Sequence, residues 1–413
     1  MKKNILLSLL VSFVPLTFLG NEDSSADYNR SSLYMLSVLH DGTSMYQNIF
    51  STVIRMTPPD RYNDHNLSLR VINTYGKPKG EEQQQQITNF LTSNKIAQRL
   101  VSKWFDRDKA DGSFDMDLVR ERGNYNASVE DVAIALRTTR GKAMLEDAGE
   151  QLIGNTFVIV NDISYVNKQA KADIFGAVFE GISLVSSAVP GGNAASGIAK
   201  LVNSTSSLGN SISSLVAGFT VHVKSYLYRL VWNDEIANTF YTQYYYDSSN
   251  PDAAKKRAYN MTGKQFELEY VGSYEATSSK TVLKGLKNDN DVFMKVLTRA
   301  LDENIVQLQK QHDVFKVTAP VFKVDNDALC VHIGLKEGVS PSSRYEVLER
   351  VEDEEGRISY QRKGVIRAAK DKIWDNRCMA VEEEAEGANL GFTVFEKVSG
   401  GDIYPGMLIR ELR

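Results

Sequence analysis

The spacing of hydrophobic positions changes several times along the chain, and each change predicts a different element. Between residues 30 and 56 the run RSSLYMLSVLHDGTSMYQNIFSTVIRM carries apolar residues at mixed helical spacing, so a helix is expected. Pro58 and Pro59 predict a turn after it. A polar run from Glu81 to Gln86 then opens a second helix. Its apolar stripe is Ile87, Phe90, Leu91, Ile96, Leu100, Val101 and Trp104. DLVRER (117–122) reads as a short strand. Ser128 and Asp131 are spaced as a capping box ahead of an amphipathic helix. TFVIVNDISYV (156–166) begins as a continuous β-branched run, which predicts a strand buried on both faces in a mixed or parallel sheet.

Residues 171–218 have a different character. They are rich in Ala, Gly and Ser, and between Glu180 and Gly218 the only charge is Lys200. Two apolar stripes joined at Pro190 predict a helical hairpin, inserted in the α/β region. Strict alternation in GFTVHVKSYLYRLVW (218–232) predicts a strand with Val221 and Val223 on one face and His222 and Lys224 on the other. FELEYVGSYEA (266–276) reads as another strand. Residues 289–313 read as a helix with Val296, Leu297, Ala300, Leu301, Ile305 and Leu308 inward. From 314 onward the pattern is short strands with glycine turns: FKVTAPVFKV, ALCVHIGL, RYEVLERV, ISYQRKGVIRAA, RCMAVEE, TVFEKVS and MLIREL. The expected fold class is therefore α+β or α/β. A mixed sheet with helices and the hairpin precedes a small all-β, barrel-like domain. The expected divisions are a signal peptide at 1–26, a mainly helical region at 27–116, an α/β core at 117–313 and the all-β domain at 314–413.

Composition adds a compartment. Lys2 and Lys3 precede a short apolar stretch that ends at Asn21, Glu22 and Asp23, the anatomy of a secretory signal peptide. No Cys lies in the first 30 residues, so a lipoprotein is not expected. With 48 basic against 52 acidic residues the net charge is −4, and no basic run suggests nucleic-acid binding. Cys330 and Cys378 sit in strand-like stretches. In an oxidising compartment they are candidates for a disulfide contributing roughly 4 kcal/mol. The alternative is two separate buried thiols.

Candidate chemistry is sparse. Asp106, Asp108, Asp111, Asp115 and Asp117 form an acidic cluster that resembles a calcium loop, since hard cations take several oxygen ligands from a short segment. Asp111 falls where an EF-hand needs Gly, so a solvated turn-rich linker is the competing reading. GGNAASGIAK (191–200) lacks the GK-Ser/Thr ending of a phosphate loop, and no cofactor is expected. His40, His65, His222, His312 and His332 show no zinc spacing, and no G-x-S-x-G elbow marks a nucleophile. Asp162 and Glu180 are not linked as an acid–base pair by any pattern. Tyr241, Tyr244, Tyr245 and Tyr246 are candidates for a protein interface or for packing.

Ile333, Gly334, Gly338, Val339, the strand Tyr345–Val347, Gly364–Ile366 and Gly406–Arg410 give the C-terminal quarter a distant resemblance. It resembles the small β modules of curli-secretion-channel-like and flagellar-assembly-like envelope proteins. More broadly the chain looks like exported bacterial envelope proteins without a defined activity. That implies a periplasmic or outer-membrane-associated protein working by binding or assembly, with a protein partner or a second copy. Two alternatives stand beside it. Residues 171–218 would act on a membrane in a pore or secretion component, or the chain is an exported hydrolase with a scattered site.

Overall fold

The computed structural model describes residues 31–40, 46–59, 61–74, 80–123, 149–167, 216–283, 289–316, 318–325, 328–352 and 358–412. Its first unit is a mixed sheet. β1 (Ser32–His40) runs parallel to β2 (Asn63–Asp64), β3 (Val71–Thr74) and β4 (Thr156–Asn167). β4 pairs antiparallel with β5 (Val216–Leu230), and β5 with β6 (Leu268–Leu283). The spatial order is β2-β1-β4-β5-β6, with β3 also on β1.

β1 corrects the helix expected from residue 30. All its residues but His40 are buried, because both of its faces meet protein. Tyr34, Leu36 and Val38 point to one side, and Leu33, Met35 and Leu39 to the other. A strand covered on both faces loses the polar alternation that identifies a strand by sequence. The helix of this region is the shorter α1 (Tyr46–Val53). DLVRER is also corrected, since it forms α4 (Asp117–Gly123) rather than a strand. Asp117 in its first turn and Arg120 and Arg122 in its last complement the helix dipole. β4 is as expected, with Phe157 and Ile159 facing one layer and Val158 and Val160 the other.

Helices cover both faces. On one lie α2 (Gly80–Ser93) and α3 (Ile96–Trp104), with α5 (Asp234–Gln243) and α6 (Ala253–Met261). The stripe expected from Ile87 to Trp104 is broken once, where Lys95 takes a left-handed conformation between α2 and α3. Asn233 and Asp252 cap α5 and α6 by accepting from backbone N–H groups of the first turn. Phe105 centres an aromatic cluster here, 4.3 Å from Phe240 and 5.9 Å from Trp232 between ring centroids. On the other face lie α1 and the long α7 (Asp289–Gln311). α7 buries Val296, Leu297, Ala300, Leu301, Ile305 and Leu308 against β1, β4 and β5.

The second unit is a closed six-stranded antiparallel barrel. Its strands are β7 (Ala319–Asp325), β8 (Ala328–Val331), β9 (Arg344–Glu352), β10 (Ile358–Ala368), β11 (Thr393–Gly400) and β12 (Leu408–Glu411). Around the ring the order is β10-β11-β8-β7-β12-β9, and closure removes free strand edges. Val331, Val347, Ile366, Phe395 and Ile409 fill it. Six of the seven expected strands form. RCMAVEE is the exception and is corrected to consecutive turns, with Met379 and Glu384 at positive φ. The helical hairpin expected at 171–218, the signal peptide and the capping box at 128–131 lie outside the described residues, apart from the hairpin's last three positions, which belong to β5.

Gly400 faces Gly364 across β10 and β11 at φ +113°, beside a register shift in the ladder. A Cβ on Gly400 would meet the Lys363 carbonyl and the Gly364 Cα at 2.3 Å. Bulged corners of this kind let a small sheet bend far enough to close. Gly400→Ala is expected to destabilise the protein by about 2–3 kcal/mol in chemical denaturation. Gly263→Ala, whose Cβ meets nothing within 4 Å, is expected to shift it by less than about 1 kcal/mol.

Candidate functional site

The polar side of α7 faces the barrel, and charge concentrates where they meet. Lys295 and Arg299 both pair with Glu383, Arg299 at 2.8 Å. Arg299 also donates to the Cys378 carbonyl at 3.0 Å. Below them, Arg61 donates to Glu337 at 2.8 Å, and both side chains are largely buried. Glu337 accepts in turn from the Gly334 N–H and from Asn376, at 2.7 and 2.6 Å. The Lys336 N–H donates to Asn376 Oδ1 at 2.8 Å. Arg377 holds Asp375 through two parallel bonds of 2.9 and 2.7 Å, and this keeps the Asp375 carboxyl below the usual range. These contacts fix the 374–384 turns and the barrel's first turn against α7.

Two cavities open beside this belt. One, of about 550 Å³, lies between β6, α7 and the barrel, with Arg299, Asp302, Glu303, Lys336 and Arg377 among its walls. The other, of about 250 Å³, lies between α1, the Pro58–Pro59 turn and α7, with Met35, Met56, Met294 and Ile305 among its walls. Asp302 and Lys336 line both. Ligand sites favour volumes like that of the larger cavity and such junctions between units. Lys295, Arg299 and Asp302 recur every three or four residues along α7, beside the apolar stripe. That charged stripe is the signal a sequence reading could have used to find the cleft.

The sequence candidates fall elsewhere. Asp106, Asp108, Asp111, Asp115 and Asp117 are exposed and do not converge. Among the described residues no group of three or more His, Cys, Asp or Glu is placed to hold a metal ion. Asp108 accepts from the Ala110 and Asp111 N–H groups, Asp111 from the Ser113 N–H and hydroxyl, and Asp115 from the Asp117 N–H. The carboxylates serve local turns, in keeping with the reading of a solvated turn-rich linker rather than a calcium loop. Tyr241, Tyr244, Tyr245 and Tyr246 do not form a surface patch either. Tyr244 and Tyr246 are buried, and Tyr241 and Tyr245 pack edge-on against Phe105 and Phe240. Cys330 and Cys378 are both free thiols, which is the alternative to the candidate disulfide. Cys330 lies on β8 near Lys323 and Asp325, whereas Cys378 lies in a turn near Asp302 and Arg299. Burial first, and then the Asp302 carboxylate, push the Cys378 thiol above its ordinary value.

Two histidines sit in networks. At the carboxyl end of β1, His40 Nε2 meets Asp162 at 2.5 Å. Gln83 donates to the other oxygen of Asp162, and the Tyr226 hydroxyl donates to Gln83 at 2.6 Å. The carboxyl ends of parallel strands are where open α/β sheets bind ligands. His65 is fully buried near the start of the same sheet. Its ring lies 3.0 Å from the Leu100 carbonyl through Nε2 and 3.0 Å from Arg122 through Nδ1. Burial first, and then the Arg122 charge, hold the His65 pKa well below 6.5. His332 is exposed and stacks on Phe322. Among the described residues no helix is long and apolar enough to cross a membrane.

No protein-family model matches the chain, and comparison with the curated proteins finds no match.

Glu383→Gln removes a charge paired with the buried Lys295 and with Arg299 and is expected to destabilise the protein by about 3 kcal/mol. Glu396→Gln, which breaks the exposed pair with Arg367, should change stability by less than about 1 kcal/mol in the same denaturation series. His65 stays neutral when folded but takes a proton near pH 6.5 when unfolded. Acidification therefore favours the unfolded chain, and stability falls as pH drops below 6.5. The contribution is about 1.4 kcal/mol lost between pH 7.5 and 5.5, and it should be missing from His65→Gln.

Proposed function

We propose that the protein is an exported component of a bacterial cell envelope that works by binding rather than by catalysis. Its binding site is the cleft between α7 and the barrel. The observation that carries this reading is the cleft itself. It is a cavity of about 550 Å³ at the junction of two units, walled by charges of both signs. Binding sites with a few convergent polar groups are built in this way. The short apolar segment after Lys2 and Lys3 supports export. The resemblance of the C-terminal strands to envelope β modules supports the same compartment, and a protein partner or a second copy of the chain fits an assembly role there.

A hydrolase is the second reading, favoured by the His40–Asp162 pair at the carboxyl end of β1. An acid–base role requires His40 to exchange a proton with a bound substrate.

Fractionation of producing cells with an alkaline carbonate wash, followed by intact mass of the mature chain, tests the proposal. The expected outcome is release into the soluble periplasmic or extracellular fraction, cut near residue 20 or 26. Full-length protein in the cytoplasm would overturn export. Retention in washed membranes after cleavage would move the membrane-acting role of residues 171–218 to the front.

A further inference from the structure

β6 ends the mixed sheet. β5 pairs with one of its edges, and among the described residues no strand pairs with the other. Such an edge presents a row of backbone N–H and C=O groups to which a further strand can be added. α7 covers a face of β6, where Val271 and Tyr274 pack against the cluster of Ile305 and Leu308. A Cβ on Gly272 would meet His312 Nε2 at 2.3 Å, so that ring also stands over a face, the direction in which strand side chains project.

Two cavities touch β6. One, of about 230 Å³, lies between the corner of α2 and α3 and the entry to β6, and it is lined by the consecutive residues Phe266, Glu267 and Leu268. Glu267 already belongs to the ladder, since its carbonyl accepts from the Val231 N–H at 3.0 Å. The other is the cleft of about 550 Å³, lined by the consecutive residues Tyr274, Glu275 and Ala276. Successive residues of a strand point to opposite faces, so a cavity that meets three in a row lies along the edge. Leu268 and Tyr274 are separated by about 20 Å of extended chain. The walls of the smaller cavity mix the buried Leu91 and Ile96 with Thr88, Thr92 and Gln98.

The charge along this edge has one sign. Between Lys264 and Lys280 the chain carries Glu267, Glu269 and Glu275 and no basic residue. All three are exposed, and among the described residues none makes an ion pair. Lys224, opposite Glu275 on β5, lies instead over the Tyr226 ring at 5.0 Å.

We infer that the free edge of β6 receives an extended, lysine- or arginine-bearing segment of a partner protein as an added strand, with one side chain in the smaller cavity and its far end at the cleft. Main-chain bonds to the edge hold such a segment, and its alternate side chains give specificity. Its basic side chains meet Glu267, Glu269 and Glu275. A second copy of the chain fits less well, because antiparallel pairing of β6 with itself about Val271 sets Glu267 opposite Glu275, and opposed like charges are unfavourable. The assignment rests on the reading of the cleft as a binding site at one end only, and it adds the chemistry of the partner.

The test is fluorescence anisotropy of the full chain with a labelled octapeptide of alternating Lys and Leu, at physiological salt. Two isomers carry N-methyl groups on every Lys nitrogen or on every Leu nitrogen. In an added strand only one alternate set of N–H groups faces β6. One isomer is therefore expected to bind like the parent and the other about tenfold more weakly. Equal binding of the parent and both isomers would mean attraction by charge alone and would overturn the inference. So would an absence of binding by the parent. Joint Glu267→Lys and Glu269→Lys substitution, and separately Thr92→Trp at the wall of the smaller cavity, should each weaken the parent peptide about tenfold with an unchanged melting temperature. Glu303→Trp narrows the cleft and separates the two levels. Loss in the Glu267 and Glu269 variant with none in Glu303→Trp would uphold the edge and remove the cleft as a site. Loss in Glu303→Trp alone would overturn the edge and leave the cleft.

Discussion

Helix α7 has to satisfy two unlike environments at once, and the arrangement of the molecule follows from that constraint. One face places Val296, Leu297, Ala300, Leu301, Ile305 and Leu308 on the sheet, where burial of apolar surface holds it. The flank that remains carries Lys295, Arg299 and Asp302, which are buried or half-buried without being apolar. Charges so placed need partners, because an unpaired buried ion is strongly destabilising. The barrel supplies them through Glu383, while Glu337 pairs with Arg61 from the turn beside α7. The junction between the two units is thus held by ion pairs rather than by a continuous apolar core.

This has a consequence for the cleft. Apolar side chains interdigitate and fill space, and among the described residues no apolar cluster runs from α7 into the barrel. The cavities of about 550 and 250 Å³ lie on either side of the ionic contacts that join α7 to the barrel. Their walls come from rigid elements: a strand, a 23-residue helix and a turn pinned by Asn376. Sites on such supports keep their geometry better than sites on loops. The same economy explains the failed candidates. The Asp106–Asp117 carboxylates and the Tyr241–Tyr246 rings are occupied by their own neighbourhood, the former in turns and the latter around Phe105 and Phe240.

Much of the fold was legible in the pattern of residues. The two-faced strand at 156–166, the helix from 289 and six of the barrel strands follow from periodicity, which reports burial directly. β1 was misread because a strand covered on both faces keeps no polar alternation, and its neighbour α1 blurred the spacing further. RCMAVEE was misread because its apolar residues serve turns that dock on α7, a role defined by a distant partner.

By itself the sequence determined which stretches bury a face, where the run of short strands begins, and a net charge of −4. Those properties depend on neighbours a few residues away or on the sum of charges. Only the tertiary structure decided that β1 lies inside the sheet, that the barrel closes, and that Arg299, Asp302, Lys336 and Arg377 line one cleft. Closure depends on a ring of ladders in which β7 meets both β8 and β12, and the cleft on side chains from α7, a loop and the barrel. Such long-range pairings leave no period along the chain, so no local pattern carries them.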